Sequence, residues 1–130
     1  MKTLVQSLAE AVNDPTQPSV DMQFNYGLFV RQLFRNRAQG EDGLMHAAVG
    51  IAGEAGEILD NVKKTWVYNK PLDVENIREE LGDLEFYMEA LRNLAGLTRE
   101  ECVRHNTSKL VIRYPNGYTD KAAIERADKQ

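Results

Sequence analysis

The sequence predicts an all-α protein with a four-helix-bundle-like protomer. Three observations lead there. Apolar residues recur at helical spacing through four long segments. Short connections rich in helix-ending residues separate those segments. No stretch alternates apolar and polar residues in the way a half-buried strand does. The length of 130 residues is that of one domain, and 42% hydrophobic with 28% charged residues is the balance of a folded chain.

The elements follow in order. Met1 to Val12 fits a short helix, and the two prolines and cap formers of "NDPTQPS" (Asn13 to Ser19) read as a loop. A first long helix is expected from Val20 to Arg37, with Met22, Tyr26, Phe29, Val30 and Leu33 on one stripe. "AQGEDG" breaks it. The second runs from Leu44 to Val67, its apolar side formed by Leu44, Ala48, Ile51, Ala55, Ile58, Leu59 and Val62. "YNKPLD" ends that helix, and Asp73 is placed to cap the next. The third spans Val74 to Ala95, with Ile77, Leu84, Met88 and Leu91 in a row and Gly96 as a C-cap. Thr98 and Glu101 have capping-box spacing and open the fourth, which carries Val103, Leu110 and Tyr114. "YPNG" turns the chain, and one short helix is possible beyond it. The divisions are an N-terminal segment, 1–19, a helical domain, 20–114, and a C-terminal tail, 115–130.

Composition narrows the function. Sixteen Lys and Arg against twenty Asp and Glu leave a net charge of −4. That excludes a generic nucleic-acid coat, which runs on excess positive charge. No apolar run approaches the roughly 18–20 residues of a membrane span. The opening residues lack the apolar stretch of an export signal, and the single cysteine, Cys102, has no internal partner. A cytoplasmic setting is therefore expected. Cys102, His46 and His105 make a poor zinc set.

The chemistry lies in two acidic pairs. On the third helix, Glu80 sits within the apolar stripe, with Ile77, Leu84 and Leu91 within about 60° of it and Asp83 flanking it. An unpaired carboxylate there must find a cation, take a proton or meet a metal. Glu54 and Glu57 form a similar pair on the second helix, beside Ile58. An antiparallel hairpin brings both pairs together. Four converging carboxylates repel one another, and oxygen-preferring Mg²⁺ or Mn²⁺ relieves that repulsion. Gly50, Gly53, Gly56 and Gly82 interrupt these helices at about 1 kcal/mol each relative to Ala. They suggest close helix approach, room for a ligand beside the acids, or simply a kinked helix. On the fourth helix, Asn106, Lys109 and Arg113 share a face suited to phosphate oxygens, or to complementing the helix dipole. Lys63 and Lys64 offer further positive charge. His46, Tyr87, Trp66 and Phe34 are stacking candidates for a base, though such residues more often serve the core.

"GEAGEI" followed by "EELGDLEFY" resembles the signature of the MazG-like nucleoside triphosphate pyrophosphohydrolases of the all-α NTP pyrophosphatase superfamily. The pattern E-x-x-E, spacer, E-x-x-D is matched by Glu54, Glu57, Glu80 and Asp83. "NTSKLVIR" resembles the downstream basic element through Asn106, Lys109 and Arg113. The resemblance covers roughly His46 to Tyr114. It implies Mg²⁺-dependent hydrolysis of a (deoxy)nucleoside triphosphate to the monophosphate and pyrophosphate. Glu54, Glu57, Glu80 and Asp83 would be the metal ligands and catalytic groups. Asn106, Lys109 and Arg113 would contact the nucleotide or its phosphates. Apart from the resemblance, the residues themselves offer Lys63 or Lys64 as further charge for the phosphates and Tyr87 and His46 as candidates to meet the base. A homodimer or homotetramer is implied as well. One departure is that the family's best-known bacterial member has two such domains in tandem.

Two other classes compete. A di-iron carboxylate bundle needs E-x-x-H on two helices, and no histidine follows any of the four acids at that spacing. A non-enzymatic helical adaptor would use the acids only as a docking patch.

Overall fold

A computed structural model describes residues 1, 6, 22–34 and 40–130. The expected N-terminal helix and the Asn13–Ser19 loop lie essentially outside those residues. The described chain is helical: α1 (Met22–Phe34), α2 (Glu41–Tyr68), α3 (Val74–Ala95), α4 (Arg99–Arg113), α5 (Asp120–Glu125) and a 3₁₀ turn (Ala127–Lys129). It divides into two compact units, residues 1–95 and 96–130. No helix among the described residues is long and apolar enough to cross a membrane.

In the first unit, α2 and α3 form a hairpin. Asn69 closes α2 in the left-handed conformation, with its N–H donating to the Lys64 carbonyl. Asp73 starts α3, its side chain accepting the Asn76 N–H at 3.1 Å. The joining segment is short, so the helices return side by side. Asn61 meets Asp73 and Asn76, Glu54 meets Glu80 and Asp83, and His46 meets Tyr87. Rising numbers on α2 thus face falling numbers on α3, as antiparallel packing requires.

The core comprises Val30, Phe34, Ala47 and Ala90, with Tyr26, Phe29, Phe86, Tyr87, Leu91 and Leu94 packed around it. On α1 the inward residue of the last turn is Phe34. Leu33, which the sequence stripe included, is half exposed. Arg92 is buried on α3 and bonds Glu85 at 2.5 Å and Glu89 at 2.8 Å. Asn93 donates to the Gly27 carbonyl at 3.1 Å, tying α1 to α3. On α3, Ile77, Leu84, Met88 and Leu91 lie on the partly buried side, as expected.

Helix α2 departs from the sequence reading. Its inward row is Gly43, Ala47, Ile51, Glu54, Ile58 and Asn61. Leu44, Ala48, Ala55, Leu59 and Val62, expected inside, are exposed. The apolar arc of α2 is broader than one neighbouring helix can cover, and α3 covers the side that carries Glu54 and Asn61.

In the second unit, Thr98 and Glu101 form the full capping box at the start of α4. The turn after Tyr114 is closed by the Gly117 N–H donating to the Tyr114 carbonyl at 3.2 Å. Thr119 caps α5. The chain then returns to α4, where Asp128 accepts from Nε and Nη2 of Arg113 at 2.6 and 2.8 Å.

Candidate metal centre and active site

The hairpin register puts three of the four predicted acids together. Glu54 from α2 and Glu80 and Asp83 from α3 each offer a carboxylate oxygen, and all three lie within 4.8 Å of one another. Two oxygens on opposite sides of one Mg²⁺ stand about 4.2 Å apart, since each bond is about 2.1 Å. The spacing of the three oxygens is thus of the size that one such ion would span. Glu54 and Glu80 are half-buried, and Asp83 is exposed.

Electrostatics agrees with the geometry. The Glu54 carboxyl is pushed above the usual carboxylate range. Burial is the first cause, its hydrogen bond with Glu80 the second, and the negative charges of Asp83, Glu80 and Glu57 complete it. The upward shift reflects the same crowding of negative charge that a divalent cation would relieve. All-oxygen donors of this kind suit Mg²⁺ or Mn²⁺. Among the described residues no histidine joins the set.

Glu57 lies outside that triad. It is exposed and lines an adjoining cavity of about 430 Å³ with Asp60, Asn61, Lys64, Lys70 and Asn76. Asp60 pairs with Lys63 at 2.5 Å and Lys64 at 2.8 Å, and these bonds hold its carboxyl at about 2. Lys64 and Lys70 reach this cavity, whereas Lys63, the sequence candidate, does not line it.

On the other side of the acids is an aromatic cleft of about 210 Å³, lined by Leu33, Phe34, His46, Phe86 and Tyr87. His46 lies 4.9 Å from the Phe34 ring and 5.9 Å from the Tyr87 ring. Tyr87 is one turn beyond Asp83, about 6 Å along α3, and His46 is about 12 Å before Glu54 along α2. The cleft is smaller than the roughly 300–1,000 Å³ of pockets that hold a whole ligand. It has room for one planar fragment.

The glycines resolve into two kinds. A Cβ on Gly50 would run into the Tyr87 ring, so this glycine permits close helix approach. Gly53, Gly56 and Gly82 face open space.

Asn106, Lys109 and Arg113 lie on α4 in the second unit, whereas the acids are assembled within the first. Asn106 is exposed and Lys109 half-buried. Arg113 is engaged by Asp128, which raises its already high proton affinity and draws the Asp128 carboxyl down to about 2.

Sequence reasoning missed Asn61, Asn76 and Asp128. Asn76 stands four residues before Glu80, a spacing that places an amide beside a carboxylate on one helix face. Asn61 continues the inward row of α2, a signal obscured by the more apolar face beside it.

Comparison with known proteins places the chain in a family. The family model for the MazG nucleotide pyrophosphohydrolase domain matches residues 44–118, which include all four acids. The gene 37 protein of Mycobacterium phage L5 is 31% identical over 80 residues, covering 58% of this chain and 70% of that protein. No solved structure matches.

Proposed function

The chain belongs to the MazG nucleotide pyrophosphohydrolase family, and from that premise we propose that it hydrolyses a (deoxy)nucleoside triphosphate to the monophosphate and pyrophosphate. Water attacks the α-phosphorus and pyrophosphate leaves. The observation that carries this reading is the convergence of the Glu54, Glu80 and Asp83 oxygens within 4.8 Å. Those three side chains would hold Mg²⁺ or Mn²⁺. Such an ion supplies charge neutralisation for the phosphates and lowers the pKa of a water it binds.

The remaining roles fall to neighbouring groups. To Glu57, outside the triad but lining the adjoining cavity, we assign the role of accepting the proton of the attacking water. Lys64 and Lys70, with Lys63 beside them, offer positive charge for the phosphates on that side. The cleft of Phe34, His46, Phe86 and Tyr87 receives the base. Asn106, Lys109 and Arg113 are assigned to the nucleotide by the family's downstream basic element. The exposed α2 residues Met45, Val49, Leu59, Val62 and Trp66 offer an apolar row on which a homodimer or homotetramer forms.

A panel of nucleoside triphosphates with Mg²⁺, assayed for both pyrophosphate and orthophosphate, tests the proposal. Pyrophosphate with an equal amount of monophosphate is expected. Orthophosphate with the diphosphate would place attack at the γ-phosphorus and overturn it.

A further inference from the structure

The geometry points to Asn61 and Asn76 as positioning residues that fix how Glu80 presents its carboxylate to a divalent cation. The inference rests on reading Glu54, Glu80 and Asp83 as ligands. It begins at a group without choice: the backbone carbonyl of Asp73 can only accept a hydrogen bond. Asn61 Nδ2 donates to it at 3.1 Å, and to Asn76 Oδ1 at 2.6 Å. The two bonds use both amide hydrogens. Turning the Asn61 amide over would set oxygen against oxygen, so its orientation is dictated.

That orientation dictates the next. With Oδ1 of Asn76 engaged by Asn61, its Nδ2 faces Glu80 and donates to Oε1 at 2.7 Å. The Asn76 backbone is held as well, its N–H donating to Asp73 Oδ1 at 3.1 Å. A carboxylate has about four acceptor sites. One on Glu80 is committed to Asn76, which sets the side chain and leaves the others for Glu54 and a cation. Asn61, the first donor of this relay, is buried, with 5% of its surface exposed. The relay links the α2–α3 connection to the metal centre through two side chains that do not themselves join the three clustered acids.

The test is Mn²⁺ titration of the full-length protein, read from the electron paramagnetic resonance signal of free Mn²⁺, with far-ultraviolet circular dichroism on the same samples. Outer-shell partners of metal ligands are typically worth about 10- to 100-fold in affinity. Asn76→Ala is expected to weaken Mn²⁺ binding in that range while keeping its helical signal. Asn61→Ala, which does not touch Glu80, is expected to weaken it in the same direction. In turnover, both variants should shift the Mn²⁺ activation constant, and saturating Mn²⁺ should recover most of kcat. A folded Asn76→Ala or Asn61→Ala with Mn²⁺ affinity within about twofold of the parent would overturn the relay, even if its melting temperature fell. Glu80→Ala in the same titration separates the two layers. If it loses Mn²⁺ while the asparagine variants do not, only the relay fails. If it binds like the parent, the ligand assignment itself fails.

Discussion

Gly50 on α2 faces the ring of Tyr87 on α3 so closely that a Cβ at Gly50 would overlap the ring. The hairpin spacing beside the acids is therefore set by a missing side chain. Gly50→Ala should destabilise the protein by up to about 2 kcal/mol, because overpacking at about 1–3 kcal/mol is offset by the roughly 1 kcal/mol gained in helix propensity. Gly53→Ala, where an added Cβ meets nothing within 4 Å, should stabilise it by about 0.5–1 kcal/mol. Urea unfolding of both variants checks the contrast. Equal shifts would mean that Tyr87 is not pressed on α2.

The raised Glu54 carboxyl makes a pH prediction for the metal-free protein. Its folded pKa lies above the unfolded value, so the folded state binds its proton more tightly. That contribution is fully present below the unfolded carboxyl pKa and is lost as pH rises through the folded one. Metal-free Glu54→Gln, which keeps a hydrogen-bonding group without the charge, should lose this dependence. Melting temperatures of both proteins across the mildly acidic range measure it, and parallel curves would refute the assignment.

Asp128 should behave in the opposite sense. Its carboxyl, drawn down to about 2 by Arg113, contributes stability above the ordinary aspartate range. That stability is lost as pH falls towards 2. Asp128→Asn should loosen the return of the C-terminal turn onto α4 at neutral pH. Faster amide hydrogen exchange over residues 120–130 would register it, and unchanged exchange would show the pair to be dispensable.

The exposed apolar row of α2 should be covered in the assembled protein. Leu59→Arg should lower the mass measured by light scattering towards the 14.7 kDa of one chain, with little change in helical content. A parent protein that already runs at 14.7 kDa would refute a homo-oligomer.

Much of this was legible in the sequence. The limits of α3 follow from Asp73 and Gly96, and the start of α4 from Thr98 and Glu101, because capping chemistry is local. The acidic pairs were visible because Glu80 breaks an apolar stripe. The inward face of α2 was not. Leu59 and Val62 are more apolar than Glu54 and Asn61, and periodicity alone ranks them inside. Across the hairpin Asn61 is held by its bonds to the Asp73 carbonyl and to Asn76, and Glu54 lies on the same face of α2. The Asp128 pairing was also out of reach, since it joins residues fifteen apart through a turn with no helical spacing to mark it.

Calorimetric titration with Mg²⁺ and Mn²⁺ tests the central claim most directly. The parent protein should bind a divalent ion, and Glu54→Ala, Glu80→Ala and Asp83→Ala should each lose at least about a hundredfold in affinity, the upper end of what outer-shell partners alone contribute. Glu57→Ala should retain most of the binding. Parent-like affinity in any one triad variant would contradict the ligand assignment, and in all three it would leave the convergence of these acids without a metal to explain it.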